Sequence, residues 1–165
     1  MKFADFIPSR AIILDLKTTG KKEVMKEMVE RIKEVFNLNT IKVNKAVEML
    51  MKREEIGSTG IGNGFAVPHC KLDNLKSVVG AFARSSRGVG FNALDGVAIN
   101  FIFLILAPSD NPTVNLQTLQ HISQSIKQPL FGKFLRQAKN VKAISEIFKY
   151  ADEQIKQCQL NEPCV

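Results

Sequence analysis

The chain has 165 residues, 45% hydrophobic and 24% charged, with 10 glycines and 6 prolines. A chain of this size buries roughly 70% of the surface its unfolded form exposes, and its plentiful Leu, Ile, Val and Phe exclude disordered, collagen-like and low-complexity classes. Lys and Arg number 23 against 16 Asp and Glu, a net charge of +7 with a pI near 9.4, which by itself admits nucleic acid, an acidic membrane surface or an acidic protein as partner.

The stretch Ala11-Ile12-Ile13-Leu14-Asp15-Leu16 reads as a short strand, closed by Thr18-Thr19-Gly20. From Lys21 to Phe36 the apolar residues Val24, Met28, Ile32 and Val35 recur at helical spacing. Asn37 to Asn39 ends that helix, and a second follows with Val43, Ala46, Val47, Leu50 and Met51 on one side and Lys52, Arg53, Glu54 and Glu55 at its end. Next comes a glycine-rich segment, Gly57-Ser58-Thr59-Gly60-Ile61-Gly62-Asn63-Gly64, expected to be a helix-to-strand loop. It leads into Phe65-Ala66-Val67-Pro68-His69, where the proline forces Val67 to be extended.

Two strands are expected at Ser77 to Ser85 and Ile99 to Leu106, with turn chemistry between them at Arg87-Gly88-Val89-Gly90 and Leu94-Asp95-Gly96. The apolar run Val97 to Pro108 is broken by Asn100 and falls short of the roughly 20 residues that span a bilayer. After Ala107-Pro108 a helical pattern on Leu116, Leu119, Ile122 and Ile126 runs to about Gln128. Two shorter helices follow, near Leu130 to Ala138 and Val141 to Ala151. Helices at both ends with strands between predict an α/β fold: a single domain, residues 1–154, with a mixed β-sheet flanked by helices on both faces, then a polar tail at 155–165. The start Met1-Lys2-Phe3-Ala4-Asp5 lacks the pattern of a signal peptide, and a cytoplasmic protein without membrane insertion is expected.

The glycine-rich segment fits neither standard phosphate-binding motif. No lysine follows the glycines before His69, as a P-loop requires, and Phe65 stands where a dinucleotide fingerprint needs its third glycine. The expected order, helix into loop into strand, is also the reverse of that fold. No Trp and a single Tyr leave few platforms for bases, and basic residues interleave with acids, as in Lys21-Lys22-Glu23, so a solvated face and no nucleic acid is the reading of the charge.

His69 ends that segment, and imidazole is the one side chain both nucleophilic and readily protonated near neutrality. Cys70 is its chain neighbour in an extended segment and points to the other side, which argues against a Cys–His dyad. Ser58, His69 and Asp73 could be written as a triad, yet no nucleophile elbow surrounds the serine. His69, Cys70 and His121 lack the spacing of a metal site, and Cys70, Cys158 and Cys164 form neither a disulfide framework nor a zinc motif.

Glu54, six residues, Ile61-Gly62, two residues, then Phe65-Ala66-Val67-Pro68-His69-Cys70 resembles the phosphorylation signature of the fructose/mannitol-type enzyme IIA domains of the bacterial phosphoenolpyruvate-dependent phosphotransferase system. The resemblance runs from about Phe3 to Gln154. Ile7-Pro8, Ile13-Leu14-Asp15-Leu16 and the helix start Lys21-Lys22-Glu23 are most similar to the nitrogen-regulatory members, and Leu104 to Pro108 and Leu116 to Leu119 match further family stretches. Phe65 stands where a smaller aliphatic residue is usual.

That resemblance implies a phosphoryl relay without nucleotide, metal or other cofactor. A histidine-containing phosphocarrier protein is the implied donor, His69 the covalent acceptor, and a downstream IIB domain or a regulatory target protein the recipient. Arg53 falls at the family's active-site arginine, where a guanidinium suits three phosphoryl oxygens. Asn115 occupies the position of a second histidine found in many members; it can hydrogen-bond to phosphate but carries no charge. His121, six residues further on a helix, points elsewhere and reads as a packing or surface histidine.

Two functions are expected from these residues. One is a phosphotransferase intermediate that carries phosphate on His69 and acts mainly in regulation. The other is a regulatory binding module that controls a partner with little or no phosphoryl transfer. The lack of a fused IIB or membrane segment within 165 residues favours regulation over dedicated sugar uptake as the expectation.

Overall fold

A computed structural model describes residues 1–161 of the chain. Cys164, in the expected polar tail, lies outside the described residues. The elements are α1 (Phe3–Phe6), a 3-10 turn (Ser9–Ala11), β1 (Ile12–Ile13), α2 (Lys21–Val35), α3 (Val43–Ile56), β2 (Gly60–Gly62), β3 (Phe65–Ala66), β4 (His69–Leu72), β5 (Val79–Val89), β6 (Ile99–Pro108), α4 (Pro112–Ile126), α5 (Phe131–Gln137) and α6 (Val141–Asn161).

The sheet runs β1-β5-β6-β3-β2, with β4 also paired to β6. It is mixed: β5 lies antiparallel to β6, while β1 is parallel to β5 and β3 and β4 are parallel to β6. The unbroken apolar run Phe101 to Pro108 of β6 follows from that central place, since both of its faces are covered. On one side α2 and α3 pack together and onto β4, β5 and β6, and on the other α4, α5 and α6 form a second cluster against β6 and β1. The α/β, single-domain reading with helices on both faces is what the chain adopts.

The core of the second layer is aromatic. Phe82 and Phe103 are register partners on β5 and β6, both fully buried, and both pack on Phe148 of α6, at 5.3 and 5.8 Å between ring centroids. Phe3 of α1 stacks on Phe148 at 4.4 Å. Burying each such ring contributes about 1.5–3 kcal/mol, so this cluster ties the N-terminal turn and α6 to the middle of the sheet.

The structure departs from the expected elements in four places. The first strand shrinks to Ile12–Ile13, because Ser9–Ala11 winds into a 3-10 turn and Leu16 N–H already bonds Arg84 C=O. The expected glycine loop is a hairpin: β2 pairs antiparallel with β3, and Asn63 (φ 55°) with Gly64 (φ 80°) forms its turn. An Asn-Gly pair with both φ positive is the signature of a two-residue hairpin. The expected turn at Arg87 to Gly90 is instead the end of β5, which runs to Val89 through a register irregularity. Gly88, at φ +81°, supplies the backbone freedom for that bulge. Finally, α6 continues past residue 154 to Asn161, with Ile155 buried, so the first part of the expected polar tail is helical.

Candidate functional site

β3 and β4 together form one edge strand beside β6. Phe65 pairs with Phe101, Ala66 with Ile102, His69 with Ile105 and Cys70 with Leu106, in unbroken register. Pro68 sits between the two halves, and its C=O accepts from Ile105 N–H at 3.0 Å. Proline donates no hydrogen bond, so an edge strand is where it is tolerated. The hairpin partner β2 covers only the first half. His69, at the start of β4, is therefore left at the open edge.

Register also assigns faces. His69 is the partner of Ile105, two residues beyond Phe103, and so it projects to the face covered by α4, α5 and α6. Lys71 shares that face, while Cys70 and Leu72 are buried on the opposite one. Burial pushes the Cys70 thiol up to about 12, which removes it as a nucleophile.

The His69 ring is half-buried, and its Nδ1 lies 2.8 Å from Val67 C=O. A carbonyl can only accept, so Nδ1 carries a proton, and in the neutral ring Nε2 is the nitrogen with the lone pair. The extended Val67-Pro68 dipeptide thus orients the ring and selects its tautomer.

Arg53 lies in the last turn of α3, half-buried, and donates from Nη1 to Gly57 C=O at 3.1 Å. Two residues on from Gly57, Thr59 C=O accepts from Val67 N–H at 3.0 Å. That bond extends the β2–β3 pairing by one residue toward Gly57, the residue that holds Arg53.

Glu54, its neighbour, anchors the segment between them. The buried carboxylate accepts from Thr59 N–H at 3.1 Å and from the Thr59 hydroxyl, and pairs with Lys21 Nζ at 2.7 Å. Burial pushes this carboxyl up, but the hydrogen bonds from Lys21 and Thr59 outweigh it and hold it below its ordinary value. Lys21 also bonds Phe91 C=O at 3.2 Å, and the Ser58 hydroxyl bonds the same carbonyl at 2.8 Å. Ser58 is thus committed to Phe91, and Asp73 accepts from the Ser109 hydroxyl, so no Ser58–His69–Asp73 triad forms. Lys21 and Thr59 escaped the sequence reading. The signal that could have exposed them is that Glu54 falls four residues after Leu50, on the buried stripe of α3, where a carboxylate needs a partner.

Asn115 stands in the first turn of α4, a helix started by Asn111, whose Oδ1 accepts from Val114 N–H at 3.2 Å, and by Pro112. α4 packs on β6 from the face that carries His69. Asn115 Oδ1 is buried without a hydrogen-bond partner, alone in this among the described side-chain atoms.

His121 is turned away from this edge. It is buried, with Nε2 2.7 Å from Asp152 Oδ1 and its ring against Phe3 and Phe6 at 5.0 and 6.3 Å. A cavity of about 960 Å³ opens beside it, between α4, α6 and the N-terminus, and does not reach His69. Among the described residues no group of three or more His, Cys, Asp or Glu could hold a metal ion, and no helix is long and apolar enough to cross a membrane.

Residues 5–151 match the family described as phosphoenolpyruvate-dependent sugar phosphotransferase system, EIIA 2. The chain belongs to this family. It is 32% identical over 148 residues to a nitrogen regulatory protein of Bradyrhizobium diazoefficiens, covering 89% of this chain and 94% of that one. It is 31% identical over 153 residues to the fructose-specific EIIABC component of Bacillus subtilis, where it covers 93% of this chain but only 24% of the longer protein. The fold matches the crystal structure of nitrogen regulatory protein IIA-Ntr from Neisseria meningitidis with a TM-score of 0.80 at 28% identity, over 88% of this chain and 98% of that one. The EIIA architecture and the likeness to nitrogen-regulatory members expected from the sequence are thus those of the chain.

Proposed function

We propose that this EIIA protein accepts a phosphoryl group on His69 Nε2 from a phosphohistidine carrier protein and acts mainly as a cytoplasmic regulator. The observation that carries the reading is the His69 Nδ1–H donation to Val67 C=O, which makes Nε2 the nucleophilic nitrogen of the neutral ring at an open strand edge. In the transfer the Nε2 lone pair attacks phosphorus while the donor's P–N bond breaks, and that electron pair returns to the donor nitrogen. No proton need move at His69, because Nδ1 already holds one. Onward transfer to a IIB domain or a regulatory target reverses the same step.

The other groups act by position and charge, as phosphoryl transfer requires. Arg53 binds the phosphoryl oxygens with the donors that its single bond to Gly57 leaves free. Asn115 offers an amide to the same group from α4. The Glu54–Lys21–Thr59 network keeps the Gly57–Gly60 segment in place, so the arginine needs little reorganisation when the carrier docks.

A regulatory role is supported by the nitrogen-regulatory relatives that this chain matches over nearly their full length. With Nδ1–H retained, transfer of the phosphoryl group to the neutral ring adds one net negative charge and three acceptor oxygens to that edge, enough to change a partner's affinity. The test is intact-mass analysis after incubation with phosphoenolpyruvate, enzyme I and the phosphocarrier. One phosphoryl group is expected, absent in His69→Ala; no incorporation from an active donor would leave the partner-binding module without phosphoryl transfer.

A further inference from the structure

Whichever donor supplies it, a phosphoryl group on His69 must be balanced by charge from the surrounding elements, and those elements supply little. α3 brings Arg53, one of whose donors is held by Gly57 C=O. α4 brings Asn115, which is neutral. His121, the other histidine, is turned to Asp152. The ion pairs among the described residues are Lys21–Glu54 and Lys149–Glu146, with His121 hydrogen-bonded to Asp152, and none of these involves a residue of β4.

Lys71 is the cation that β4 itself carries beside His69. It follows His69 by two residues on β4 and shares its face, because the strand alternates half-buried, buried, exposed, buried from His69 to Leu72. At about 3.3 Å of rise per residue its Cα lies roughly 6.6 Å from that of His69, within the reach of a four-carbon stem ending in three rotatable donors. Among the described residues it makes no side-chain hydrogen bond or ion pair. Asp73, the nearest carboxylate in sequence, is occupied by Ser109 instead.

We propose that Lys71 is a phosphoryl-binding residue: its ammonium closes on the oxygens of the group carried by His69 Nε2, supplying the second positive charge that Asn115 does not. This rests on the acceptor reading above. As the Nε2–P bond forms and the donor's P–N bond breaks, the pair returns to the donor nitrogen and Lys71 keeps all its protons. Its contribution is charge alone, so it favours the doubly ionised phosphoryl group over the singly ionised one.

The test uses the full chain phosphorylated by phosphoramidate, a small donor with no docking surface, followed by ³¹P NMR titration of the phosphohistidine. Lys71→Gln should raise the midpoint of the second ionisation by about one unit, the effect of one charge roughly 3 Å away in a water-like medium. Lys71→Arg should restore it, and Lys142→Gln, which removes the same charge from the exposed start of α6, should leave it unchanged. Transfer from saturating phosphocarrier should slow about three-fold in Lys71→Gln and recover in Lys71→Arg. An unchanged midpoint, with the defect confined to the carrier concentration needed and abolished by salt, overturns the proposal and makes Lys71 a docking charge. Failure of the unaltered protein to take phosphate from any donor overturns this proposal and the acceptor reading together.

Discussion

The chain's two histidines are both hydrogen-bonded through one ring nitrogen, and the partners differ. His69 donates to the carbonyl of Val67 on an open edge, whereas His121 meets the carboxylate of Asp152 beneath Phe3 and Phe6. A carbonyl two residues away orients the ring at no cost to the rest of the fold. A carboxylate 31 residues away joins two helices, and Asp152 also accepts from Phe3 N–H at 3.2 Å. One histidine is held so that a nitrogen stays available; the other is held so that helices stay together. On the proposed reading, what distinguishes His69 as the acceptor is the group opposite its other nitrogen and the strand edge it occupies.

Exchanging the two roles by mutation should give opposite losses. His69→Ala abolishes phosphoryl incorporation by intact mass and leaves stability within about 0.5 kcal/mol, since little of the fold leans on a half-buried edge residue. His121→Ala keeps incorporation but loses about 3 kcal/mol in urea denaturation, because Asp152 is left buried without its partner, the two side chains being only 7% and 10% exposed. Equal stability losses in the two variants would erase the contrast.

Arg53→Ala sharpens the reactive side alone. The loss of charged hydrogen bonds worth about 1.5–3 kcal/mol should slow phosphorylation by roughly ten- to a hundred-fold in quench-flow, with about 1 kcal/mol of stability lost through the Gly57 bond. Full rate in this variant would make Arg53 a helix-end charge only.

The Glu54 network tests whether a buried carboxylate can serve the reactive side as Asp152 serves the structural one. Glu54 titrates below its ordinary value of 4.5 in the folded chain, so its stabilisation is complete above that pH and is lost as pH falls through the depressed value. Glu54→Gln should flatten the acid limb of stability against pH by about 1–2 kcal/mol and slow phosphorylation a few-fold as the Thr59 segment loosens. A wild-type acid limb in Glu54→Gln would remove the network from the account.

The smallest expected effect is at Asn115. Asn115→His adds a chargeable group opposite His69 and should speed phosphorylation a few-fold, more below pH 6.5 than above it, where the imidazole loses its proton. A ratio flat from pH 5.5 to 8 would mean that the position acts through shape.

Much of this was legible before the fold. Helical spacing located α2 and α3 to within two residues or so and α4 except for its first turn, and the apolar run to Pro108 marked the central strand. Pro68-His69 located the edge. The hairpin β2–β3 was hidden because four glycines read as a loop, although Asn63-Gly64 carried its turn. The partners of Glu54 and His121, Lys21 and Asp152, lie 33 and 31 residues away in sequence and are brought in only by tertiary packing. The face shared by His69 and Lys71 needed the register with β6, which no local pattern supplies.

The central claim is that His69 Nε2 receives the phosphoryl group while Nδ1–H stays on Val67. The most direct test is NMR of ¹⁵N-histidine-labelled protein before and after phosphorylation by the carrier. Before, the His69 ring should show a protonated Nδ1 and an unprotonated Nε2; after, phosphorus coupling should appear on Nε2 of His69 and on no nitrogen of His121. Coupling on Nδ1, or on either nitrogen of His121, would contradict it.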